Sequence, residues 1–125
     1  MPARQEQEAE RAARVPQNLA SIRSHLSECI DIAGRGEVAF FGPDFVNRYA
    51  AYAALIQAGN AAKDLPDAFR QAHPEVNWRA LMRTRDKVGH IYGDSIDWEI
   101  IWAALIDGIP RDLEAITALR DALLR

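Results

Sequence analysis

Val15-Pro16-Gln17-Asn18-Leu19-Ala20-Ser21-Ile22-Arg23-Ser24-His25-Leu26-Ser27-Glu28-Cys29-Ile30-Asp31-Ile32-Ala33 is the stretch that decides the fold. Within it Val15, Leu19, Ile22, Leu26, Cys29 and Ala33 recur at spacings of four, three, four, three and four. That period lays one apolar stripe along a helix and does not suit a strand. Gly34 and Gly36 end it. A helix with one apolar stripe must bury it against other elements, so the rest of the chain has to supply partners.

Downstream, further helices follow. After Gly42-Pro43-Asp44 a second helix begins, with Pro43 or Asp44 near its start and a stripe of Phe45, Tyr49, Tyr52, Ile56 and Gly59. Alanines at 50, 51, 53, 54, 58, 61 and 62 flank the stripe and let another helix approach closely. Pro66 interrupts, and a short helix over Asp67 to Gln71 ends at His73-Pro74, because the residue before proline disfavours the helical region. Asn77 is placed to cap a third main helix from Trp78 towards Gly89. A loop around Gly93-Asp94 follows, and then Ile96 to Asp107, apolar nearly all round. Such a helix is buried on several sides, and in a domain this small one of them is expected to face another subunit. Gly108-Ile109-Pro110 makes a break before a last helix, Arg111 to Leu124, with Leu113, Ile116, Leu119 and Leu123 inward. Val38-Ala39-Phe40-Phe41 is the one strand-like run. It has no partner, and reads as a loop that tucks both Phe rings into the core. Residues 3–14 carry no apolar face, so this charged segment is expected to be a frayed helix or disordered. These features predict an all-α bundle of four to five helices, with one domain over 15–125 behind the segment 1–14.

At 125 residues the chain suits a single core. A net charge of −3 leaves no general basic field to attract nucleic acid, so RNA binding would need a local patch. Arg79, Arg83, Arg85 and Lys87 supply one, opposed within it only by Asp86. Such a cluster is also common on a plain exposed helix face. Cys29 is the single cysteine, which excludes an intrachain disulfide and fits a reducing cytoplasm. No apolar run approaches the ~20 residues of a membrane span, and the N-terminus lacks a signal-peptide stretch.

Arg85-Asp86-Lys87-Val88-Gly89-His90-Ile91-Tyr92 concentrates the chemistry. A guanidinium holds phosphate through a rigid fork of donors, and an imidazole titrates near neutral pH. On an ideal helix Asp86 and His90 share a face, where the carboxylate orients the ring and favours its protonated form. Arg85 lies roughly 140° round the axis from His90, so one straight helix does not aim both at one phosphate. Either Gly89 ends the helix and lets His90 swing out of register, or two copies meet and build a composite cleft. The same residues also fit a solvated helix end. Tyr92 beside Gly93 fits a loop anchor, and Trp78, Trp98 and Trp102 fit core or interface positions. Neither His25 nor His73 has a setting that suggests chemistry. No Cys or His pair stands at zinc-ligand spacing, no glycine loop cradles phosphate, and no metal or cofactor is expected.

The segment 85–92 resembles the Arg-x4-His-x-Tyr motif of the HepT-like toxins, small helical ribonucleases of the HEPN superfamily. Gly59-Asn60-Ala61-Ala62-Lys63 is similar to the family's Gly-x-Ala-Ala-Lys segment. His73-Pro74-Glu75-Val76-Asn77-Trp78 resembles the Pro-x-x-x-Trp that precedes its motif helix. Asp97-Trp98-Glu99-Ile100-Ile101-Trp102 with Ile109-Pro110 resembles its closing segment. The likeness covers roughly residues 15–124. It implies a HEPN-type up-and-down bundle, a homodimer with a cleft between the motif helices, and metal-independent RNA cleavage. It also implies a nucleotidyltransferase antitoxin of the MntA type in a type II/VII-like toxin–antitoxin pair. By position Arg85 and His90 would be the catalytic pair, with Asp86 beside them where the family often has Asn. Arg79, Arg83 and Lys87 would bind RNA, and Tyr92 would accept AMP from the antitoxin. The first 14 residues and Ile91 depart from the family pattern. The rival readings are a non-catalytic helical nucleotide-binding partner of a nucleotidyltransferase, and a plain helical scaffold.

Overall fold

A computed structural model describes residues 3–89 and 96–125, with side chains at 3–83 and 96–125. The described residues form eight helices: α1 (Arg4–Ala13), α2 (Val15–Gly34), α3 (Glu37–Phe41), α4 (Val46–Asp64), α5 (Asp67–Ala72), α6 (Trp78–Gly89), α7 (Trp98–Ile106) and α8 (Gly108–Leu123). Among them there is no strand, and the fold is the all-α bundle expected.

The opening stripe does what its period requires. Leu19, Ile22, Leu26, Cys29 and Ile32 are buried along α2. Pro16 stands in the first turn of α2, where its missing N–H breaks no helical bond. α2 and α4 form an antiparallel pair. Arg14 and Asn18 at the start of α2 bond Asp64 at the end of α4, and Arg35 after α2 donates to Asn47 near the start of α4 at 2.7 Å. α8 packs on α2, α6 on α4, and α7 on α8 and α2.

Helix α4 changes one expectation in part. Its core face is built from Ala51, Ala54, Leu55, Ala58, Ala61 and Ala62, all buried. Of the stripe read from the sequence, only Phe45 and Tyr49 lie towards solvent, while Tyr52 and Ile56 pack half-buried against the core and Gly59 is buried. The small side chains win the inner face because α2 and α6 both press on α4, and only alanine lets the backbones come so close.

The segment 38–41 is also different from the loop expected. It is one turn of helix, opened by Gly36 at φ +98°, a backbone that side-chain-bearing residues rarely adopt. Arg48 closes it by donating to the carbonyls of Phe40 and Gly42 at 2.8 and 2.7 Å. Phe40 is fully buried but Phe41 is not, because a single helical turn cannot point adjacent residues the same way. Gly108-Ile109-Pro110 does not interrupt helix either. It is the first turn of α8, and the break falls one residue earlier, at Asp107.

Residues 4–13 are helical, and no residue of α1 is buried. Polar bonds hold it. Arg14 grips the Asp64 carboxylate with two donors at 2.7 and 2.9 Å, Asn18 adds a third at 2.8 Å, and Arg11 donates to the Lys63 carbonyl at 2.8 Å. These donors hold the Asp64 carboxyl well below the usual carboxylate range, the Arg14 hydrogen bond most of all.

Candidate active site

The site begins with how α6 is aimed. The indole N–H of Trp78 donates to the His73 carbonyl at 2.9 Å, and Phe69 packs its ring 4.6 Å from that of His73. Asn77 then accepts from the Ala80 N–H at 3.1 Å, the expected N-cap. Trp78 and Leu81 are buried, which fixes the rotation of α6 on α4.

That rotation sorts the motif positions. Arg79 and Arg83 are four apart and exposed, and position 87 continues the same line. Along the helix, position 85 follows Leu81 by four and Trp78 by seven. The basic positions 79, 83 and 87 therefore occupy a different side of α6 from position 85. Position 86 adjoins the basic line, three residues after Arg83. The side chains of Arg85, Asp86 and Lys87, and the whole of His90 and Tyr92, lie outside the described residues.

The return from the motif is fixed at its far end. Asp97 caps α7 by accepting from the N–H groups of Glu99 and Ile100 at 3.1 and 3.3 Å. Trp98, the first residue of α7, packs edge-on against Tyr49 of α4 at 5.3 Å and against Phe40 at 6.5 Å. Two anchored helices, α6 and α7, thus frame the segment that carries His90 and Tyr92.

Other polar features stand elsewhere. A groove of about 530 Å³ runs along α8 beside His73, Glu75, Arg111 and Glu114. A smaller hollow of about 340 Å³ lies between Asn77, Ala80 and Asp112. The groove reaches the α5–α6 connection and the hollow touches the start of α6, about 18 Å along the helix from Gly89 at 1.5 Å per residue. Burial pushes the Asp112 carboxyl up to about 6, and neighbouring Arg111 only partly offsets this. Nothing in the local sequence marks Asp112 as unusual, since its setting comes from the packing of α8 beside the α5–α6 connection. His25 pairs with Glu28 at 3.4 Å and His73 with Glu75 at 3.1 Å. Both are surface pairs that need no chemical role. Among the described residues no group of three or more His, Cys, Asp or Glu side chains is placed to hold a metal ion, and no helix is long and apolar enough to cross a membrane.

The sequence profile of the ribonuclease HepT-like family matches residues 18–120, and the chain belongs to that family. A candidate RNase of Methanocaldococcus jannaschii is 33% identical over 98 residues, covering 78% of this chain and 80% of that protein. A protein of Thermococcus cleftensis named as a ribonuclease HepT is 36% identical over 67 residues, 54% of this chain and 60% of its own. A candidate RNase of Caldanaerobacter subterraneus subsp. tengcongensis is 33% identical over 89 residues, 68% of this chain and 78% of its own. No solved structure matches the chain at a significant level.

Proposed function

We propose that this chain is a metal-independent endoribonuclease and the toxin of a toxin–antitoxin pair. The observation that carries the reading is the family match over residues 18–120, which spans the whole Arg85–Tyr92 motif. The RNase names of the relatives point the same way.

His90 is the group for proton transfer. It takes the proton from a ribose 2′-hydroxyl or gives one to the leaving 5′-oxygen. The 2′-oxygen attacks phosphorus, the bond to the 5′-oxygen breaks, and the products carry 2′,3′-cyclic phosphate and 5′-hydroxyl ends. Arg85 balances the charge that grows on the phosphoryl oxygens. Asp86 orients His90 and favours its charged form. Arg79, Arg83 and Lys87 hold the flanking backbone by charge. Two copies supply a composite cleft. Silencing follows from AMP on Tyr92, placed there by a nucleotidyltransferase antitoxin, because added negative charge and bulk at the cleft repel RNA.

Cleavage of total RNA by wild-type and His90→Ala protein, each with and without EDTA, tests the reaction. The expected outcome is chelator-resistant cleavage by wild-type alone, with a loss of ~10²–10⁴-fold in the variant. Full activity in His90→Ala, or cleavage abolished by EDTA, would overturn the mechanism. Tyr92→Phe is expected to remain active and to escape the antitoxin.

A further inference from the structure

Phe45 and Tyr49, at the start of α4, are the most exposed aromatic side chains among the described residues, at 59% and 52%. Neither ring is loose. They meet edge-on at 5.7 Å, and Tyr49 also packs against Trp98, the first residue of α7, at 5.3 Å. These contacts fix the rings and leave about half of each open. Their place in the fold follows from the path of α6. Arg70 of α5 donates to the carbonyls of Ala62 and Leu65 at 2.8 and 2.6 Å, and the rings of Phe69 and Trp78 lie 6.3 Å apart. The start of α6 is thereby held at the end of α4. From there α6 packs along α4, so it runs back towards the start of α4. Tyr49 is about 20 Å along α4 from Ala62, and Gly89 about 18 Å along α6 from its cap at Asn77. The two rings therefore stand where α6 ends, and Trp98 brings the start of α7 to the same place.

We propose that Phe45 and Tyr49 form a base-stacking subsite for the RNA strand beside the bond that is cut. The proposal rests on the ribonuclease reading above and extends it to residues outside the motif. An unpaired base lays its π-face on an exposed ring whatever its identity. Bases inside a duplex are already stacked on one another, so paired RNA gains nothing from these rings. The phosphates are held elsewhere. Arg48, next to the pair, is already engaged with the carbonyls of Phe40 and Gly42. Arg79 and Arg83 are exposed on α6. They stand one turn, or about 6 Å, apart along a helix that leads to the rings, so they can follow a strand's backbone towards them. Charge on α6 then fixes the backbone, and the rings of α4 fix the bases. The result is a preference for unpaired RNA at this subsite with little preference for which base.

Fluorescence anisotropy of a labelled 2′-O-methyl oligonucleotide, single-stranded or in a duplex, tests this on the full chain. The probe lacks the 2′-hydroxyl and cannot be cut, so binding is read apart from cleavage. Tyr49→Ala and Phe45→Ala are each expected to bind the strand about 5- to 150-fold more weakly, the range for one lost base–aromatic stack. Tyr49→Phe should keep wild-type affinity, because the ring and not the hydroxyl stacks. Duplex binding should not change in any variant. Circular dichroism and sedimentation check the fold and mass of each. No strand binding by wild-type, unchanged strand binding in both alanine variants, or an equal loss for strand and duplex would overturn the proposal. So would a change of assembly mass in Tyr49→Ala, which would assign the rings to a protein contact. Should an alanine variant fail to fold, Tyr49→Leu carries the same comparison, since it keeps apolar bulk and loses the π-face. Strand binding that depends on Tyr49, with total RNA left uncut, would sink the ribonuclease reading alone. Cutting of RNA with strand binding indifferent to both rings would sink this proposal alone.

Discussion

At the scale of single residues, burial controls chemistry. Cys29 sits at 0% exposure in the middle of α2, and burial pushes its thiol up to about 12. Only the thiolate reacts, so Cys29 in the folded chain should resist Ellman's reagent at pH 8 and react once denaturant is added. Rapid labelling of the native protein would contradict the packing. Asp112 shows the opposite consequence of the same cause. Its folded carboxyl titrates near 6 instead of the usual 3.8. Between those values the folded chain binds more protons than the unfolded one, so stability falls as pH rises and the loss is complete above pH 6. Asp112→Asn should therefore stabilise by about 1–2 kcal/mol at pH 7, less than the full linkage value because the carboxylate keeps some water contact. The gain should vanish at pH 4, read from urea midpoints. Neither residue is conspicuous in the sequence. A lone Cys on an apolar stripe reads as core, which it is, but an Asp in the first turns of a helix reads as solvated, and only the neighbouring α5–α6 connection makes it otherwise.

Between elements, polar latches and small side chains do different work. α1 buries nothing; Arg11 ties it to the end of α4, and just beyond it Arg14, its C-cap, and Asn18 of α2 grip the Asp64 carboxylate. Asp64→Asn should free α1 while leaving the bundle folded, seen as faster tryptic cleavage after Arg11 and Arg14 and a modest loss of helical ellipticity. Because the Asp64 carboxyl is held low, the wild-type latch should persist on acidification until pH falls below the ordinary carboxylate value near 4. Unchanged protection of α1 in Asp64→Asn would mean that something other than this pair docks it. The α2–α4 pair depends on size instead. Ala58 is buried where two helices press on α4. Ala58→Leu should cost about 1–3 kcal/mol by overpacking, measured as a lower unfolding midpoint.

For the whole molecule, periodicity and breakers were sufficient to read out the bundle. The 3.6-residue stripe of α2, the Asn77 cap, His73-Pro74 and Gly34-Arg35-Gly36 are local signals, and local signals survive in a linear string. Arg85 and His90 stand out in the sequence for a similar reason, a guanidinium and an imidazole in an otherwise plain stretch, and the roles given to them above are a proposal. What the string could not say is which face of α4 turns inward. Alanines and aromatics both make a stripe there, and hydrophobicity alone favours the aromatics. Close approach by α2 and α6 favours the alanines, and that approach exists only in the assembled fold. The same holds for the rotation of α6, set by Trp78 and Leu81 against α4, which separates the basic line of positions 79, 83 and 87 from position 85. Sequence by itself determined the main helices, their order and the chemical groups available, because each depends on neighbours along the chain, but not the single-turn helix α3, whose run of Val and Phe reads equally as a loop. The tertiary structure alone decided which surfaces are covered and which remain open for a partner, because covering depends on distances between residues far apart in sequence.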